Sequence, residues 1–158
     1  MKNTILKYAR YNQWANAKLL NDTLAHMPEL MDKMILSSFD SVRKTIMHMA
    51  DAEYIWHCRM TDVAFDRIPG KIGAGIEALA EMDKKLIDLI SEKNEGFFNQ
   101  ETSYKNLKGE PFANNNFSIL WHVFNHSTFH RGQIVTMLRN GGYAEPIDST
   151  DFITFERL

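Results

Sequence analysis

Apolar residues recur along most of this chain at helical spacing. From about Asn3 to His26, the residues Ile5, Leu6, Trp14, Ala17, Leu20 and Leu24 fall at positions compatible with one helix face. The pattern stops before Pro28, because proline disfavours a helical residue immediately ahead of it. A second period runs from about Phe39 to Thr61 through Val42, Ile46, Met49, Trp56 and Met60, with Ser38 or Asp40 as its cap. Ile68, Pro69 and Gly70 then mark a loop that Gly73 and Gly75 extend. The third helix, from about Ile76 to Lys93, sets Leu79, Met82, Leu86, Leu89 and Ile90 on one face and charges on the other.

From Glu95 to Phe117 the helical period is lost. Thr102 to Leu107 and Glu110 to Ala113 read as short strands around Lys108-Gly109, a hairpin within a long crossover. A fourth helix starts near Ser118 as N-cap and stops at Gly141-Gly142, a glycine signal for a helix end. A last helical turn follows Asp148 or Ser149. No internal repeat and no low-complexity linker divides the chain, so residues 1–158 are expected to form a single domain. The expected fold is all-α: a four-helix bundle with a long crossover, at least one parallel helix pair, and a short C-terminal helical segment.

Composition narrows the picture further. Hydrophobic residues at 44% and charged residues at 24% fit an ordinary globular protein. The 18 basic and 20 acidic side chains form no long basic block, so neither a nucleic-acid nor a membrane partner is expected. Cys58 is the only cysteine, which excludes an intrachain disulfide and any Cys₄ or Cys₂His₂ zinc site. That usage fits the reducing cytoplasm. Lys7 and Arg10 interrupt the start where a signal peptide needs an unbroken apolar stretch. The uncharged run from Phe112 to His130 is too polar to span a bilayer, with Asn114, Asn115, Asn116, Ser118, Asn125 and three histidines.

Those histidines carry the candidate chemistry. His122, His126 and His130 stand four apart in WHVFNHSTFHRGQI. At about 100° per residue, Ile119, Leu120, Val123, Ile134, Met137 and Leu138 set the apolar direction of this helix. His130 falls close to that direction, His126 at its edge, and His122 toward the polar flank. The pair His126/His130 is therefore favoured over His122/His126, and residues one turn apart can converge on one ion. A lone inward histidine is more often a core residue with one hydrogen bond. Two at this spacing, in a stretch without formal charge, point to metal, because neutral imidazole is the binding form.

A third ligand must come from another element. MHMADAEYIWHC in the second helix offers His48, Glu53 and His57. Glu53 sits in the middle of the apolar stripe, where a carboxylate needs a partner. Its candidate roles are ligand, acceptor behind a ligand histidine, or ion-pair partner of an arginine. His48 lies off the stripe, toward Thr45, Ala52 and Ile55, so helical phase alone does not select it. Asn125, Arg131 and Gln133 read as solvated or packing residues, Tyr8, Tyr11, Asn12 and Trp14 as core or pocket lining, and Cys58 as buried packing.

The chain resembles the DinB family of DinB/YfiT-like metal-binding helical bundles over nearly its whole length. YNQWANAKLL resembles the family's first-helix signature, TIMHMADAEYIW its second-helix segment, and NHSTFHRGQIVTMLRNGG its NHxxxHRGQ motif. Relatives often carry a further histidine where this chain has Phe129. The resemblance implies a metal triad at His48, His126 and His130, with zinc or nickel as occupant and frequent homodimerisation. It also implies chemistry on a thiol or water that attacks a small electrophile, as in the thiol transferases and isomerases of related bundles. The alternatives are a non-catalytic metal-binding stress-response protein and a dimeric interaction bundle.

Overall fold

The computed structural model describes residues 1–23, 28–65, 76–106 and 108–158. Its elements are α1 (Lys2–Ala17), α2 (Val42–Thr61), α3 (Ile76–Glu92), a short α4 (Glu95–Asn99), strands β1 (Glu101–Lys105) and β2 (Pro111–Asn115), α5 (Asn116–Gly141) and a short α6 (Phe152–Phe155). The four long helices form the expected bundle. Both α1 and α2 pack against α3 and α5, so α1 and α2 stand on one diagonal. Lys2 at the start of α1 donates to the carbonyls of Ser91 and Lys93 at the C-terminal end of α3, so these two helices run antiparallel. Tyr8 meets Trp121 and Phe124 while Asn12 and Asn16 meet Arg131, so α1 and α5 run parallel. Thr45 contacts Met137 and Trp56 contacts His122, which sets α2 antiparallel to α5.

Local chemistry explains where the helix ends differ from the sequence reading. The first helix ends as α-helix at Ala17 and continues as a π-helical turn over Lys18–Thr23; the expected extension through His26 lies outside the described residues. Ser41, not Ser38 or Asp40, caps α2: its side chain accepts from the Lys44 N–H at 3.3 Å. The N–H of Ile35 donates to the Asp40 carbonyl at 2.9 Å, which keeps the preceding residues out of the helix. Asn115 rather than Ser118 caps α5, accepting from the Ser118 N–H at 2.8 Å. At the other end Gly142 closes α5 with φ 101°, the left-handed conformation that favours glycine. The hairpin is present, pairing Glu101 with Asn115 through Lys105 with Pro111; Leu107 and the loop at 66–75 lie outside the described residues. The sequence reading missed α4, which Asn94 caps and which buries Phe97 and Phe98. The last turn begins at Phe152 rather than just after Asp148 or Ser149, with Asp151 at its N-cap. Among the described residues no helix is long and apolar enough to cross a membrane.

The core comes in two apolar clusters. One gathers Leu19, Leu20, Ile46, Met49, Leu79, Ile134, Met137 and Leu138. The other gathers Ile5, Leu86, Ile90, Phe98, Ile119, Leu120, Val123 and Phe124. Between them lies a polar layer of six buried residues: Asn12, Asn16, Glu53, Asp83, Ser127 and Arg131. Asp83 is 3% exposed and belongs to this layer.

Candidate metal centre

The polar layer is bonded from all four long helices. Arg131 donates from one nitrogen to Asn12 Oδ1 at 2.7 Å and Asn16 Oδ1 at 2.8 Å, and from the other to Thr128 Oγ1 at 2.7 Å. Both amides then donate onward to Asp83, at 2.8 Å from Asn12 and 3.0 Å from Asn16. Glu53 accepts at Oε1 from Asn12 at 3.2 Å and Ser127 at 3.1 Å. Burial, and next the nearby Asp83 carboxylate, push the Glu53 carboxyl well above its ordinary range, against Ser127, Asn12 and Arg131, which favour its charge. Burial likewise raises Asp83 to about 6, against the amides and Arg131, which favour its charge. Of the roles open to Glu53, its bonds to Asn12 and Ser127 fit the arginine-linked core network and reach none of the candidate ligand histidines.

Just outside this layer, in the seam between α2 and α5, three imidazoles converge. His126 Nε2 lies 3.0 Å from His48 Nε2 and 3.0 Å from His130 Nε2. Candidate ligand atoms of all three lie within 4.8 Å of one another. Helical phase explains the pair on α5: His130 is 4% exposed, His126 is partly buried, and His122 faces solvent. His122 stays outside the group, edge-on to Trp56 with ring centroids 5.8 Å apart. On α2 only His48 reaches it, while His57 feels Lys85 of α3 instead. Cys58 is buried and unpaired by disulfide.

A detail that sequence reasoning missed sets the chemistry of His130. Its Nδ1 lies 2.8 Å from Gln133 Oε1, an acceptor, so Nδ1 carries the hydrogen and Nε2 presents its lone pair to the group. Gln133 is anchored in turn by donating to Ser38 Oγ at 2.7 Å. The spacing of three on one helix was the available signal. Burial holds His48 down to about 4 and His126 down to about 3, with the neighbouring imidazoles adding to both. His130 is also lowered by burial, against its bond to Gln133. All three rings are neutral at pH 7.

Neutral rings do not satisfy this arrangement alone. In the ring plane an Nε2 offers either one hydrogen or one lone pair. His126 Nε2 therefore cannot complete two good N–H···N bonds to neighbours at 3.0 Å on both sides. A cation satisfies all three lone pairs at once. An ion about 2.0–2.1 Å from each nitrogen of a tetrahedral set leaves the nitrogens about 3.3 Å apart. The observed 3.0 Å spacings are close enough that small ring rotations accommodate it.

A sequence profile of the DinB family matches residues 1–157. The chain belongs to the DinB family. It is 28% identical to Protein DinB of Bacillus subtilis strain 168 over 162 residues, covering 91% of this chain and 90% of that protein. The crystal structure of a DinB-like protein from Bacillus cereus shares the fold with TM-score 0.65 at 18% identity, covering 92% of this chain and 94% of that one. YfiT from Bacillus subtilis, described as a probable metal-dependent hydrolase with an unusual four-helix bundle topology, matches with TM-score 0.65 at 16% identity over 91% of each chain.

Proposed function

We propose that this chain is a metal-dependent enzyme in which His48, His126 and His130 hold one divalent ion, zinc or nickel, that readies a water or small thiol to attack a small electrophile. The observation that carries the reading is the shared His126 Nε2, flanked at 3.0 Å by two further imidazole nitrogens, one with its lone pair fixed by Gln133. Three neutral ligands leave the ion's positive charge undiminished and a coordination position for an incoming group. Bound there, such an ion supplies Lewis acidity and a deprotonated nucleophile near neutral pH. The description of YfiT as a probable metal-dependent hydrolase supports the choice of water. Thiol transfer is the finer alternative that the family resemblance supports.

The chain's own residues do the rest. Gln133 and Ser38 keep His130 in one tautomer, while Phe39 lies over the His48 ring at 4.4 Å and shields it from water. The purified protein is expected to bind about one divalent ion per chain, measured by elemental analysis and calorimetry. Its cobalt form is expected to change its visible spectrum when a small thiol or imidazole is added. No zinc or nickel binding would overturn the reading. So would a cobalt spectrum indifferent to every small ligand in a protein that unfolds when stripped of metal.

A further inference from the structure

Two aromatic rings, those of Phe39 and Phe129, flank the three histidines. The ring of Phe39 lies 4.4 Å from His48 and 5.9 Å from His130. Phe129 stands edge-on to His130 at 5.2 Å and is 61% exposed, a large apolar side chain left in water beside a polar cluster. From Phe112 in β2 to His130 in α5 the sequence bears no formal charge. On the facing side of α2, Lys44 is tied to Asp40 at 2.7 Å, and Arg59 donates to the Lys105 carbonyl at 2.9 Å with its guanidinium on Trp56.

Ligand sites combine an apolar lining with a few convergent polar groups, and here the polar groups are the histidines. A charged ligand arm laid against Phe39 and Phe129 would lose hydration and gain no polar contact from either ring. An uncharged ring would instead cover the exposed face of Phe129. We infer that Phe39 and Phe129 form the specificity wall of this site, and that the group they receive is an uncharged, apolar and preferably aromatic part of the substrate. The inference rests on the metal-dependent reading above and adds the substrate class.

Two probes with the same donor group test it: acetohydroxamate and benzohydroxamate, titrated into the cobalt-loaded protein and followed by visible absorption. Benzohydroxamate is expected to bind about tenfold more tightly or better, as burial of one ring's worth of apolar surface implies. Phe129→Ala is expected to bring the ratio of the two affinities toward one, and Phe129→Leu to keep part of it. Lys84→Ala, on the outer face of α3, is expected to leave the ratio unchanged. Benzohydroxamate bearing a para carboxylate is expected to lose most of the advantage. Equal binding of both probes to the unaltered protein, or a preference that survives Phe129→Ala, overturns the wall while leaving the metal site standing. Binding of neither probe overturns the proposed function and this inference with it.

Discussion

Ser127 and Arg131 follow His126 and His130 by one residue each on α5, yet the two pairs belong to opposite kinds of polar cluster. The inner cluster mixes charges with amides, and its members satisfy one another across four helices. Glu53 Oε2 is its one buried side-chain atom without a partner among the described residues. The outer cluster has no formal charge and does not satisfy itself, since three imidazole nitrogens converge on one small space. A step of one residue turns the side chain by about 100°, enough to move it from the bundle interior to the α2 seam. The lesson is that a closed network reads as architecture, whereas a convergent set of unsatisfied acceptors reads as a place for a ligand. Substitutions in each cluster separate the two.

The largest effect is expected at the inner cluster. Arg131→Met removes the cation that faces Asp83 and breaks the bonds to Asn12 and Asn16, at a cost of about 3–5 kcal/mol in unfolding free energy. Urea denaturation measures it. The folded fraction is expected still to bind metal, because His48, His126 and Gln133 make no bond to this arginine. An unchanged urea midpoint would show that the inner cluster does not hold the bundle together.

At the outer cluster the order reverses. His130→Ala is expected to weaken metal affinity by at least about a hundredfold, Gln133→Ala by roughly ten- to a hundredfold through loss of tautomer control, and His122→Ala by no more than a few-fold. Calorimetry on the folded variants reads all three. Equal losses for His122 and His130 would break the distinction between the ring that converges and the ring that does not. The pH range sharpens it further. With His48 near 4 and His126 near 3, protons compete poorly for the ligands, so affinity is expected to hold from about pH 8 to 6 and to fall only below that. An affinity that already collapses near the ordinary histidine value of about 6.5 would mean the rings are better hydrated than their burial implies.

How much of this was legible beforehand follows from which signals are local. Helical period located all four long helices, and phase alone ranked His130 and His126 above His122. His48 was different: it lies off the apolar stripe of α2, and only the family resemblance singled it out. Contact across two helices has no local signature. Gln133 was within reach, since it stands one turn from His130, but a glutamine on a partly exposed helix face usually meets water. Asp83 and Glu53 could not be joined from sequence, because their common partner, Asn12, sits on a third helix. The short α4 was hidden by its length: five residues are too few to show a period, and only the Asn94 cap and the Phe97-Phe98 pair mark it.

The smallest expected effect has the most informative sign. Glu53 is fully buried, shares Asn12 with Asp83, and competes with it for the single cation of the layer. Its carboxyl value is raised in the fold, first by burial and next by Asp83, while the unfolded chain ionises it near ~4.3. A group raised on folding contributes stability that is complete below its unfolded value and is lost as pH climbs toward its folded value. Glu53→Gln keeps the carbonyl that accepts from Asn12 and Ser127 and removes the titration. The variant is therefore expected to gain on the parent as pH rises from 5 to 8, by at most about 1.4 kcal/mol per pH unit. The net gain at pH 7 is expected to be on the order of 1 kcal/mol, because the amide brings two hydrogens to the place of one. Urea midpoints of both proteins at several pH values give the difference, from which the histidines largely cancel. If Glu53→Gln instead loses ground as pH rises, Glu53 is ionised in the bundle and shares Arg131 as an ion pair, and the inner cluster carries one more negative charge than its burial allows here.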